Sequence, residues 1–221
     1  MRRLAFALLF AAVAARAEDA MPTEDDFSKC VMAVVRSYPT DGTHAYYWPK
    51  GDAWPGTTCD LVYQGTKACE ADAQKRCYCC GLTFEVFAKA WEQWSEGKKR
   101  EFAIPGVDGK GILDLRADWF GSTGDKRTTL QAAIASRKLG RSIAKLDEAR
   151  AGDFVQLWRK NGTGHSVVFL EWKKGGDGKV KGIKYWSTQK STNGIGEREE
   201  RIAGDDGVDL EQVYIVRVGK R

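Results

Sequence analysis

The feature that most limits what this chain can fold into is a change of hydrophobic period along its length. Apolar residues recur at helical spacing in the first two thirds and alternate in the last third. Phe27, Cys30, Val31, Val34 and Val35 form one helical stripe. Thr23, with Asp26 three residues on, opens it, and Pro39, Asp41 and Gly42 end it. Leu82, Val86, Phe87, Ala90 and Trp94 form a longer stripe, which predicts a helix over about 79–95 with Gly97 as its stop. A further helix is expected over 128–138, before Gly140. Strands are expected over 153–158, 165–172, 180–189 and 213–218, with turns at 161–164 and 175–178. Helices first and a hairpin sheet afterwards define an α+β chain. Leu61-Val62-Tyr63 is too short to assign. Residues 97–127, rich in Gly, Lys and Asp, read as a long loop or insertion of the kind that often serves as a lid or binding loop.

The first 17 residues read as an address rather than a fold. Arg2-Arg3 gives a positive start, Leu4 to Ala15 is a run of 12 apolar residues, and Ala15-Arg16-Ala17 presents small residues at the two positions a signal peptidase reads. The run is well short of the roughly 18 to 20 residues of a membrane span. Cleavage before Glu18 is expected, leaving residues 18–221 as one secreted or periplasmic domain where disulfides can persist. At 43% hydrophobic residues that domain can bury a core, which excludes wholesale disorder. The net charge of +5 includes Arg2, Arg3 and Arg16; without them 32 basic residues face 30 acidic ones. So small an excess gives no argument for nucleic acid.

There are only two histidines, His44 and His165. His44 reads most simply as a surface loop residue. His165 opens an apolar strand after a glycine turn, which would project its ring from a rigid edge. Cys79 falls in the first turn of the strongest helix, where unpaired N–H groups and the helix dipole favour a thiolate. Gly81 beside it permits a close approach to the backbone. A thiolate facing a histidine is the nucleophile–base pair of cysteine hydrolases. Other readings of the six cysteines stay open. Cys59, Cys69 and Cys77, with Cys30 or Cys80, could form up to two disulfides of undefined connectivity. Cys77-Tyr78-Cys79-Cys80 contains the Cys-x-x-Cys of a dithiol oxidoreductase, though no strand precedes it. Zinc ligation by Cys59, Cys69, Cys77 and Cys80 lacks paired Cys-x-x-Cys knuckles, so neither a metal nor another cofactor is expected.

Three boxes, in order, carry a family resemblance. Tyr78-Cys79-Cys80-Gly81-Leu82 resembles the Asp-Cys-Ser-Gly-Leu box of NlpC-type papain-like cell-wall hydrolases. Ala149-Arg150-Ala151-Gly152-Asp153-Phe154-Val155 resembles their Pro-Gly-Asp-Leu-Val turn. Gly164-His165-Ser166-Val167-Val168-Phe169-Leu170 resembles their Gly-His-Val-Gly-Ile-Tyr-Leu strand. The related CHAP amidases share the order of helix-borne cysteine and strand-borne histidine. The resemblance covers roughly residues 60–195 and implies a papain-like core, decorated by an N-terminal arm and the 97–127 insertion. Tyr78 stands where the family has an acid and Cys80 where it has serine.

The activity implied is hydrolysis of an amide in the peptide part of peptidoglycan, or in another small peptide. Cys79 would be the nucleophile and His165 the base. The third member falls on the next strand, where Gln189 can accept from the imidazole N–H, with Ser187 and Asn193 as alternatives. Tyr63, in Tyr63-Gln64-Gly65, resembles the family tyrosine near the nucleophile, and Trp48 and Trp186 are candidate walls for the substrate. Two other classes stay open: an inactive NlpC-type binding protein of the cell envelope, and a thiol-dependent acyltransferase.

Overall fold

The first described helix, α1 (Glu24–Ser37), starts where Thr23 Oγ1 accepts the amide of Asp26 at 3.1 Å. That bond satisfies one of the first-turn N–H groups that have no partner within a helix. The structure, a computed structural model, describes residues 21–49, 54–125 and 127–221. The expected leader over residues 1–17 lies outside them. Among the described residues no helix is long and apolar enough to cross a membrane.

After α1 come a short hairpin, β1 (Leu61–Tyr63) and β2 (Thr66–Cys69), and then three helices: α2 (Cys79–Gly97), α3 (Gly111–Trp119) and α4 (Thr129–Ala135). Six strands follow: β3 (Gly140–Ile143), β4 (Phe154–Arg159), β5 (Gly164–Lys174), β6 (Val180–Gln189), β7 (Gly194–Arg201) and β8 (Val208–Val218). They form one antiparallel sheet in the order β3-β8-β4-β5-β6-β7. The chain is therefore α+β with antiparallel sheets. Register explains why both sheet faces are apolar. Phe154 lies between Val168 and Val216, and the next residue, Val155, lies between Val167 and Ile215. The first trio faces the helices and the second faces away, as alternation requires.

The helical layer is held by large rings. Phe27 of α1 packs on Trp91 of α2 at 5.3 Å between centroids, and Phe87 packs on Trp119 of α3 at 5.0 Å. Trp119 in turn meets Phe154 on the sheet at 5.0 Å. Burying side chains of this size contributes about 2–3 kcal/mol each.

Two expectations change here. Residues 97–127 are not a structureless insertion: α3 lies within them, with Ile112, Leu115 and Trp119 buried at helical spacing. Nor is α1 a decoration outside a 60–195 core. Phe27 and Val31 are core residues, β8 sits between β3 and β4, and Lys220 N–H donates to Pro22 O at 2.9 Å.

A fully buried carboxylate ties the helices to the segment before the hairpin. Glu85 of α2 accepts from Tyr38 Oη (2.7 Å), Thr58 N (2.6 Å), Thr58 Oγ1 (2.7 Å) and Lys89 Nζ (2.6 Å). Burial opposes its ionisation, but the Lys89 charge and these donors prevail and hold it below the ordinary value. A depressed carboxylate stabilises the fold fully above its unfolded-state value and loses that contribution as pH falls through the folded-state value. Glu85→Ala is expected to cost about 3–5 kcal/mol in urea unfolding at pH 7, because it strands Lys89 and the Thr58 amide. The stability gap between wild type and Glu85→Gln should hold steady above the ordinary value of 4.5 and shrink below it. A gap independent of pH across that range would mean that Glu85 is not ionised in the fold.

Candidate active site

Cys79 opens α2 at a helix start that no side chain caps. The N-cap residue, Tyr78, is extended and makes no side-chain capping bond, and the first turn contains no acid. The positive end of the helix dipole there is met by no acidic side chain of the first turn. What approaches Gly81 is the chain itself: a Cβ there would stand 2.1 Å from Pro55 O and 2.3 Å from Gly56 O. Gly56 has φ +71 and carries no side chain that would strike the Tyr78 ring. Tyr78 is locked above it, its hydroxyl donating to Trp54 O at 2.6 Å.

His165 is near the start of β5, 8% exposed, with its ring edge-on to Tyr185 at 5.5 Å. Its Nε2 lies 3.0 Å from Oε1 of Gln189, at the end of β6. The orientation of the Gln189 amide follows from hydrogen-bond accounting. Thr192 has one hydroxyl proton, and it is given to a backbone carbonyl, of Gln189 (3.2 Å) or Gly194 (2.5 Å). Toward Gln189 Nε2, at 2.6 Å, Thr192 Oγ1 can therefore only accept. The amide NH2 must face Thr192, so Oε1 must face the imidazole and accept the proton of Nε2. Nδ1 is then the nitrogen left for Cys79. Of the alternatives, Ser187 spends its hydroxyl on Ser166 O (2.8 Å), and Asn193 is exposed in the left-handed region beside Gly42.

The neighbours of Cys79 favour its ionised form. Hydrogen bonding from the Cys80 thiol lowers the Cys79 thiol furthest; burial opposes ionisation, and the charge and hydrogen bond of His165 and the Ser166 amide add to the lowering. The result is well below the ordinary thiol value. Cys80, giving its proton to that sulfur, is pushed the opposite way. The two adjacent thiols are thus shifted in opposite directions, the lowered one being the one coupled to His165. Behind the pair, Thr83 Oγ1 of α2 and Ser166 Oγ of β5 are 2.7 Å apart, and Trp119 Nε1 donates to Thr83 Oγ1 at 3.1 Å.

Cys79 and His165 line a cavity of about 390 Å³. Its walls are aromatic: Tyr46, Trp48, Phe120 and Trp158. Trp48 is part of the cavity wall. Tyr63 and Trp186 are not. Tyr63 is 2% exposed, donates to Val107 O (2.9 Å) and accepts from the Ile104 amide (2.7 Å), so it fastens the chain after α2. Trp186 is also 2% exposed and packs on Tyr38 at 5.4 Å, on the helix side of the sheet. Both are core residues. Tyr46 and Phe120 went unread; Phe120 directly follows Trp119, whose helical spacing was the one available signal. His44 stays outside the cavity, its Nδ1 2.8 Å from Lys75 O.

The remaining cysteines do not combine. All six sulfurs are free in this structure, Cys77 and Cys80 among them. Burial pushes Cys59 up to about 11 and Cys69 and Cys77 each up to about 12. Among the described residues no cluster of His, Cys, Asp or Glu stands at metal-binding spacing. In comparisons with family models, with curated proteins and with solved structures, nothing matches this chain.

Iodoacetamide at pH 6 is expected to modify Cys79 well before Cys30, a half-buried thiol raised by its burial. His165→Ala should slow Cys79 by about tenfold or more at pH 6 and little at pH 9, as mass mapping would register. Equal rates for Cys79 and Cys30 at pH 6 would remove the activated thiolate.

Proposed function

We propose that this chain is a secreted or periplasmic cysteine hydrolase of amide bonds, built on a papain-like core of the NlpC type. The peptide part of peptidoglycan is its proposed substrate. The observation that carries the reading is the imidazole of His165, set between the lowered Cys79 sulfur and Gln189 Oε1 at the wall of an open cavity. The order of helix-borne thiol and strand-borne histidine agrees with the resemblance. An inactive binding protein would have no use for an amide oriented through Thr192 onto the histidine.

The chemistry follows from the groups present. The Cys79 thiolate attacks the carbonyl carbon, and the backbone amide of Cys79 at the start of α2 helps hold the oxyanion that forms. His165 Nδ1–H passes its proton to the leaving nitrogen as the C–N bond breaks, leaving a thioester on Cys79. The amine departs. Nδ1, now neutral, takes a proton from water as the hydroxyl adds to the thioester carbonyl. The C–S bond then breaks, the acid leaves, and the thiolate and protonated imidazole are restored. Gln189 keeps Nε2 protonated throughout, so the lone pair and the mobile proton are always at Nδ1.

The test is digestion of purified peptidoglycan stem peptides by the mature protein, with products read by mass for the gain of one water. Cys79→Ala and His165→Ala should each abolish turnover while unfolding free energy shifts by no more than about 1–2 kcal/mol. Gln189→Ala should lower kcat by about tenfold or more and leave KM nearly unchanged, since it acts through the ring. Undiminished turnover in Cys79→Ala or His165→Ala would overturn the mechanism.

A further inference from the structure

The cavity wall carries information about the substrate of the proposed hydrolase, and the inference below rests on that reading. Among the described residues, no Lys, Arg, Asp or Glu lines the cavity. Arg127 is near, 5.8 Å from the Trp158 ring centroid, but is not part of the lining. Apart from the Cys79–His165 pair, a charged group entering such a space meets no countercharge among the described residues. An apolar or aromatic group gains ring contact instead.

Three of the four rings stand on the nucleophile's side. Trp48 packs edge-on to Tyr78, the residue before Cys79, at 4.8 Å, and Phe120 meets the other part of the same cluster at 6.1 Å from Tyr78. Tyr46 is joined to the same segment by a bridge to Cys77, whose amide donates to Ala45 O at 3.1 Å. The leaving nitrogen must be on the side of His165, which protonates it. The rings therefore surround the part of the substrate that stays on sulfur as the thioester.

We infer that Tyr46, Trp48 and Phe120 form a specificity site for an uncharged aromatic or aliphatic acyl group, and that acyl groups bearing a carboxylate or an ammonium beside the reacting carbonyl are disfavoured. Within a peptide substrate, the bond cleaved is then the one that follows a neutral residue.

The test uses N-acetyl-aminoacyl chloromethyl ketones built on Phe, Leu, Glu or Lys. Each is attacked by the Cys79 thiolate, which forms a C–S bond as the C–Cl bond breaks and chloride leaves. Chloroacetamide, which has no acyl side chain, reports the reactivity of the thiolate alone. Rates are read at pH 6 by mass mapping. The Phe and Leu reagents should label Cys79 at least about tenfold faster than the Glu and Lys reagents, each corrected for its rate with free thiol. Trp48 is 57% exposed, so Trp48→Lys should fold normally. It should raise the Glu-to-Phe rate ratio about fivefold or more by placing a cation on the wall. Glu or Lys reagents as fast as Phe, or a ratio unmoved in Trp48→Lys, would overturn the inference while fast chloroacetamide labelling left the hydrolase reading standing. A Cys79 inert to chloroacetamide as well would bring down both.

Discussion

The buried carboxylate of Glu85 is the point on which the site's architecture depends. It lies six residues beyond Cys79 on the same helix and gathers the end of α1 through Tyr38 and the segment before the hairpin through Thr58. That segment is the one that passes Pro55 and Gly56 against Gly81 and under Tyr78. An ionised group with no exposure holds its position only if its donors hold theirs, because any lost bond leaves an unpaired charge in the interior. One flank of the nucleophile's turn is thus fixed by a hydrogen-bonded charge. The other is fixed by the contact of Thr83 with Ser166, which sets α2 on the strand that carries the histidine. Cys79 and His165 belong to different layers of the fold, and the Thr83–Ser166 contact joins those layers.

The third position shows how a neutral side chain can stand where a carboxylate is more familiar. In a serine enzyme the imidazolium forms next to a neutral alcohol, so a buried carboxylate is needed to support its charge. In the proposed mechanism the thiolate itself would support that charge, as the coulombic coupling of Cys79 with His165 suggests. What remains for the third residue is to choose the tautomer and hold the ring, and an amide oxygen does both. The cost is that an amide can be presented either way round. Thr192 removes that freedom, its only proton already committed to a backbone carbonyl. The left-handed turn at Asn193 and Gly194 returns the chain so that Thr192 can reach both groups.

Much of this was legible in the residues. The stripe of Leu82, Val86, Phe87, Ala90 and Trp94 specifies α2 because burial on one face has only one period in a helix. The alternation of β5 and β6 places His165 and Gln189 at strand ends. The hidden parts have physical reasons. The charged run in β7 conceals a strand because Glu200 is buried by pairing with Arg159 (2.6 Å) and Tyr185 (2.7 Å), a compensation that no local pattern displays. β3 is four residues long, and its partner, β8, is about 70 residues away in sequence. Tyr63 and Trp186 were read as substrate contacts because an aromatic side chain near a site in sequence looks the same whether it faces a cavity or a core. Only the sheet face occupied by Trp186, and the bonds made by the Tyr63 hydroxyl, decide between them.

The segment 97–127 joins fold to specificity. Adjacent residues at the end of α3 point to different tasks: Trp119 anchors the helix between Phe87 and Phe154, and Phe120 lines the cavity. Trp119 also donates to Thr83, the residue that docks the nucleophile's helix on β5. A change in how this segment packs would therefore move the Phe120 wall and the Thr83–Ser166 contact together. The Phe120 wall and the Thr83–Ser166 contact are both referred to the same buried indole. In a lid hinged on exposed loops, shape selection and chemistry could vary separately. Here the two share one buried anchor, Trp119, and the cavity's aromatic character is as much a property of the core as of its surface.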